Sequence, residues 1–416
     1  MAANKLIIIG GGAAGLMATI AAREYKIPAL LLERRHRPGL KLLLCGNNRC
    51  NISHDASAAQ MLRDYGTPVG DFLKPAITAF PPDKLREWFS RMGLPTIVKR
   101  DRIYPKTENS DDVLHCFLDI MREEQLPYVL NCPVKSIVKE NDIFTVTTEN
   151  GLIFQAEKVL LATGGFSYPK TGSVGDGQRI AAELNHTVIA PLPGLAGVDC
   201  EDRLLAFQQE TDLPDVAVTV ITNGKPVART RGNILCMPTA GAPSLPLGTI
   251  LRGSAIFDAT RAIARQKLTS FTLQLDFCPA LATPPENLSR LPLPPALLQR
   301  LAKKPAWVKA YNLQINGIRP LKEAIVSVGG VSLDEINPNT MESKILPGLF
   351  FAGEVMDIDG PTGGYNLHAA FATARLAVAS MTRKVQTYSP RPTSKPPRPQ
   401  SPRERYGDPR KTSRRW

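Results

Sequence analysis

Behind Lys5 the chain is apolar through Ile9, turns through glycines, and resumes with apolar residues at helical spacing over residues 14–25. A second short apolar run, residues 29–32, ends at Glu33. An unbroken apolar run suits a strand covered on both faces, so this order predicts a βαβ opening with a parallel sheet. Two amphipathic helices are predicted next: residues 83–92, closed by Gly93, and residues 111–124, capped by Ser110 with Asp111 and Asp112 in the first turn. Residues 142–163 read as a hairpin around Asn150 and Gly151 that leads into a strand at 159–162.

After Pro191 the texture changes. Pro and Leu recur, Asn223 and Gly224 mark a second hairpin, and residues 295–302 form a short helix. Glycine-rich α/β character returns at Ala324 and runs to about residue 380. The pattern therefore predicts one nucleotide-binding domain in two parts, residues 1–190 and 321–385. Residues 191–320 are an inserted, mainly β second domain with a small helical part, and residues 386–416 are a tail.

The composition narrows the class. Of 416 residues 43% are hydrophobic and 21% charged, which excludes a wholly disordered or fibrous chain. Seven scattered cysteines make neither a disulfide framework nor paired Cys-x-x-Cys zinc ligands, and they suit a reducing cytoplasm. Residues 6–22 carry no charge, but Gly10, Gly11, Gly12 and Gly15 break them into strand, turn and helix, so neither a signal peptide nor a membrane span is expected. Residues 381–416 hold eleven basic and two acidic residues, most of the net charge of +13. Seven prolines at 390–409 deny that segment a helix or a core, so a disordered basic arm with a polyanionic partner is expected. His54, His115 and His186 lack partners at metal-ligand spacing, and no metal site is expected.

Gly10, Gly12 and Gly15 form a Gly-x-Gly-x-x-Gly motif, with Ala13 and Ala14 between the last two. It stands between a strand and a helix, with Glu33 at the end of the next strand. Gly10 permits the tight turn, Gly12 lets a pyrophosphate approach the backbone, and Gly15 lets helix and strand pack closely. The helix N-terminus offers N–H groups to the anion, and Glu33 accepts hydrogen bonds from an adenosine ribose. A ligand-free tight turn is the plainer alternative. Farther on, residues 349–354 form a strand that delivers Gly353 and Glu354, and Gly363, Gly364, Tyr365 and Asn366 open a helix. This suits a flavin, with Glu354 on a ribityl hydroxyl and the helix start stabilising the reduced ring. A second glycine-rich turn without a cofactor is the alternative there.

Residues 7–15, 41–53, 161–177 and 326–371, together with 102–114, resemble the YhiN/BaiN/RdsA family of FAD-binding flavoproteins, also grouped as aminoacetone oxidase-like. The resemblance implies an α/β fold with a Rossmann-like FAD-binding domain of glutathione-reductase type, split by the insert. It also implies an FAD-dependent oxidoreductase with NAD(P)H as the reductant. On the matching positions, the cofactor-binding set is Gly10, Gly12, Ala13, Ala14, Gly15, Glu33, Lys41, Arg49, Cys50, Asn51, Thr163, Gly164, Gly353, Glu354, Gly364, Tyr365 and Asn366.

Family members are linked to reduction of a uridine of 23S ribosomal RNA to dihydrouridine. The implied partner is therefore ribosomal RNA or a pre-ribosomal particle, met through the basic tail in the cytoplasm, with no membrane and no metal. Hydride from flavin N5 would reach uracil C6 while a general acid protonates C5, and the base must be unstacked to react. Cys50 is the candidate acid, with Arg49 lowering its pKa; a small residue packed under the loop is the equal alternative. Tyr168, Lys170, Thr171 and His368 are candidate substrate contacts, or they only shape their loop and helix surface. Two other activities fit the same residues: a small-molecule flavoenzyme, either amine oxidase or ene-reductase, and a non-catalytic RNA-binding flavoprotein. The chain departs from the family where Cys45, Gly46, Asn47 and Asn48 replace a Ser-Gly-Gly-Gly run, and in degraded motifs at 232–237 and 241–243.

Overall fold

The computed structural model describes residues 4–46, 48–239 and 248–382; Asn47, the motif at 241–243 and the basic tail lie outside the described residues. Strand Asn4–Ile9 pairs in parallel with Ala29–Leu32, placing Ile7 beside Leu30, and on its other side with Ile153–Leu161. Tyr128–Val129 and Leu349–Phe351 extend the parallel sheet at either end. The expected hairpin is present: Ile143–Thr148 folds antiparallel onto Ile153–Leu161, with Val134–Glu140 beyond it. Leu349–Phe351, near the end of the chain, thus lies beside a strand from its first half. This is how two distant sequence segments come to wall one site.

Helices Ala13–Glu24 and Gly363–Ser380 pack together against this sheet. The second is buried nearly all round through alanines such as Ala369, Ala372 and Ala377, and small residues let two backbones approach closely. The predicted helix after position 110 runs Ser110–Glu123, but its cap is Asn109, whose side chain accepts from Asp111 N at 3.0 Å. Ser110 is instead the first helical residue, and its Oγ donates to Leu43 O at 2.8 Å.

Strands between Val198 and Ile318 form a second, seven-stranded antiparallel sheet. Its longest pair, Thr211–Thr222 and Lys225–Pro238, turns at Asn223 and Gly224. Helix Pro295–Ala302 matches the expected short helix. Helix Ser254–Arg265 was not foreseen, and it buries Ile256, Ala259 and Ile263 against this sheet. Its opposite side ties this sheet to the segment that leads into helix Gly363–Ser380: Arg265 Nη1 donates to Asp357 Oδ1 at 2.8 Å, and Arg261 pairs with Asp359. No described helix is long and apolar enough to cross a membrane.

Candidate functional site

Two cavities share Gly12, Lys41, Thr163 and Ser173, so they form one cleft across the parallel sheet's glycine turn. The small cavity, about 60 Å³, reaches Glu33; the large one, about 500 Å³, reaches Gly363 and Asn366. At the waist lies Gly12, immediately before helix Ala13–Glu24. Gly15 is fixed by packing, because a Cβ there would stand 1.8 Å from Gly10 O. Glu33 is 8% exposed, and its oxygens accept from Gly11 N at 2.6 Å and Arg35 N at 2.7 Å. Burial pushes its carboxyl above the usual range.

In the large cavity Lys41 Nζ donates to Ser167 Oγ and to Glu354 Oε2, both at 2.6 Å. Glu354 Oε1 accepts from Ser327 N at 2.9 Å. The carboxylate expected to meet a ribityl hydroxyl thus already fixes Lys41 at the junction of the two cavities. Gly353 backs onto Ala14 and Ala370, where an added Cβ would come within 3.1 Å of Ala14 Cβ. Asn366 closes the turn at the helix start, accepting from Gly360 N at 3.0 Å and donating to Thr362 O at 2.8 Å. Gly164 lines the same cavity, while Tyr365 does not, its hydroxyl being held by Asp64.

Two buried polar atoms on cavity residues, Asn51 Oδ1 and Thr163 Oγ1, have no hydrogen-bond partner in the described protein. A Cβ on Gly364 would come within 2.6 Å of Asn51 Nδ2, so the glycine leaves room for that amide across the helix start. An elongated cleft with a helix N-terminus at its waist and the orphaned Asn51 amide oxygen on a residue of its broad end fits FAD, whose pyrophosphate and isoalloxazine need such groups.

The candidate thiol is placed differently from expectation. Cys50 is 0% exposed and off the cavity wall; the thiol that lines the cavity is Cys45. A proton donor must reach its substrate, and a buried thiol behind the wall does not. His368 is likewise a core residue at 0% exposure, with Nδ1 against Ser53 Oγ at 2.8 Å and Nε2 against Phe80 O at 2.9 Å. It is neither a substrate contact nor a helix-surface residue. Lys170 is exposed away from both cavities, and Thr171 lines the small one.

Tyr168 does line the large cavity, at a φ of +54°, a left-handed backbone conformation uncommon outside glycine. Across the wall stand Arg49, Arg102, Tyr104, Arg252 and Phe257. Arg49 lies over the Tyr104 ring at 5.7 Å. Of these, only Arg49 stands out in the sequence, because no local pattern reports that strand, loop and helix residues converge.

Next to Phe257, Asp258 has an orphaned Oδ1, and burial pushes its carboxyl up to about 7 against the pull of Arg261 and Arg102. Its pKa is raised on folding, so between about pH 4 and 7 the folded state holds a proton that the unfolded chain has lost. Stability is therefore lost as pH rises through that window, by up to about 1.4 kcal/mol per pH unit. Asp258→Asn removes the titration and should flatten the decline, read as urea midpoints at several pH values. Parallel curves for variant and wild type would contradict it.

A family model described as HI0933-like protein Rossmann domain matches residues 4–380. The 3-dehydro-bile acid delta(4,6)-reductase of Clostridium scindens is 28% identical over 90% of this chain and 98% of its own. The ribosomal RNA dihydrouridine synthase of Escherichia coli is 26% identical over 88% of this chain and 95% of its own. Among solved structures, a 3-ketosteroid delta1-dehydrogenase from Sterolibacterium denitrificans superposes with a TM-score of 0.54 at 12% identity, covering 92% of this chain and 99% of that one.

Proposed function

We propose that this chain, which belongs to the family of HI0933-like Rossmann-domain proteins and is an FAD-dependent oxidoreductase, reduces a uridine of large-subunit ribosomal RNA to dihydrouridine. FAD, when bound, supplies the two-electron step, hydride transfer to a carbon–carbon double bond conjugated to a carbonyl. One observation carries the choice of substrate: Arg49, Arg102 and Arg252 meet at the cavity, none of them ion-paired among the described residues, beside Tyr104, Tyr168 and Phe257. Guanidinium forks suit phosphate oxygens, and aromatic rings suit the faces of an unstacked base. In this reading Lys41 and the start of helix Gly363–Ser380 hold the cofactor's anionic parts, and Tyr168 donates the proton to uracil C5. NAD(P)H is the proposed reductant and the cytoplasm the proposed compartment, in keeping with seven free cysteines.

A small-molecule reading is favoured by the bile acid reductase relative, whose name describes reduction of double bonds in a 3-ketone. Dihydrouridine mapping of ribosomal RNA from cells with and without the gene separates the two. One dihydrouridine should disappear with the gene; an unchanged map would overturn the RNA assignment.

Removal of residues 386–416 should weaken RNA binding and leave the flavin spectrum unaltered. The deleted piece carries nine basic residues. If a third of them meet phosphates, the dependence of log affinity on log salt flattens by about two units. Such contacts carry no sequence information, so the base reduced stays the same. Identical salt slopes for full-length and shortened protein would exclude the tail from binding.

A further inference from the structure

The departure from the family pattern puts Cys45 close ahead of Cys50, and the two are linked through their backbones. Cys50 N donates to Cys45 O at 2.9 Å, and Arg49 N donates to Gly46 O at 3.3 Å. Gly46 and Cys50 both take positive φ, +60° and +56°, which folds the chain back on itself. A direct backbone hydrogen bond between the two residues keeps their Cα atoms within about 6.8 Å, the upper end of the range a disulfide spans. Beside that backbone link the Cys45 thiol donates to Asn51 O at 3.6 Å, which holds its sulfur over the residue that follows Cys50.

The two thiols are not equivalent. Cys45 lines the large cavity, and a Cβ on Gly363 would stand 3.5 Å from its Sγ, so the sulfur sits at the N-terminus of helix Gly363–Ser380. Cys50 is fully buried behind it. The neighbouring Cys50 thiol draws the Cys45 thiol below its ordinary value, and the Asn51 backbone and Lys41 add to this. Its proximity to Cys45, with burial, pushes Cys50 well above its ordinary value. A cavity-lining thiol shifted toward ionisation beside a buried thiol shifted away from it is the arrangement that suits thiol–disulfide chemistry.

We propose that Cys45 and Cys50 are a redox pair that closes to an intramolecular disulfide at the flavin end of the cavity and exchanges two electrons with the bound flavin. In closing, both S–H bonds break and one S–S bond forms; two electrons and one proton pass to the oxidised flavin, and the second proton leaves to solvent. Opening is the reverse. The proposal rests on the FAD reading, and the pair stores a second two-electron equivalent beside the cofactor.

The test uses the flavin-loaded full chain, equilibrated without oxygen in mixtures of reduced and oxidised dithiothreitol, then acid-quenched, alkylated in denaturant and cut with trypsin. Trypsin cleaves after Arg49, so a disulfide leaves the two cysteine peptides joined. For a two-electron couple, a hundredfold change in the mixture should carry the joined fraction from about one-tenth to about nine-tenths. Reductive titration of the oxidised protein should take about four electrons per flavin, against about two for Cys45→Ser. Full alkylation of both cysteines in every mixture, or two electrons per flavin in the disulfide-containing wild type, would overturn the proposal. Protein that never holds flavin would contradict the cofactor reading instead, while the peptides still report on the pair.

Discussion

Gly12→Val should yield folded protein that carries no flavin. Gly12 has φ −79° and ψ −167°, an extended conformation open to any residue, and a Cβ built on it meets nothing within 4 Å. The protein therefore tolerates the substitution, but the branched side chain enters the space shared by the two cavities. There it meets the pyrophosphate and covers the N–H groups of the helix start. Overpacking of about 1–3 kcal/mol is roughly a fivefold to 150-fold loss of affinity, and loss of the anion contacts adds to it.

The neighbouring glycines supply the contrast. At Gly10, φ is +102° and a Cβ would lie 2.6 Å from Ala162 O; at Gly15 the clash is 1.8 Å, so valine at either should unfold the domain. The measurement is the ratio of flavin to protein absorbance, with thermal melting to verify folding. Soluble Gly12→Val retaining one FAD per chain would contradict the account.

Tyr168→Phe should slow reduction of substrate by roughly 10²-fold while FAD stays bound. Tyr168 is held at a strained φ of +54°, and burial raises its phenol, with Arg252 and Cys45 acting on it from the same wall. A raised phenol is fully protonated at neutral pH, so it is always available as a donor. Strain retained at a cavity wall is a reason to assign the residue a role. The check is the rate at which reduced flavin is reoxidised by substrate; an unchanged rate would remove Tyr168 from proton transfer.

The Gly10 to Glu33 unit was legible because a strand, a turn and a helix with fixed glycine positions are all local features. The start of helix Gly363–Ser380 was legible for the same reason. Helix Ser254–Arg265 carried a signal, Ile256, Ala259, Thr260 and Ile263 at helical spacing, but alanine and threonine make a faint apolar stripe amid Pro- and Leu-rich surroundings. The burial of His368 was not legible, because a helix packed on all sides has no polar face from which to judge orientation. Cys45 and Cys50 were both visible as residues, yet which of them meets the cavity depends on backbone reversal at Gly46. Arg102 and Arg252 come from two different sheets, and only tertiary packing brings them to one wall.

The central claim is tested most directly by a single turnover. Flavin-loaded protein, reduced stoichiometrically without oxygen, is mixed with unmodified large-subunit ribosomal RNA, and flavin reoxidation is followed together with dihydrouridine formed. The account predicts one dihydrouridine for each flavin reoxidised, at one nucleotide position. Flavin that stays reduced with RNA but is rapidly reoxidised by a small conjugated ketone would contradict it.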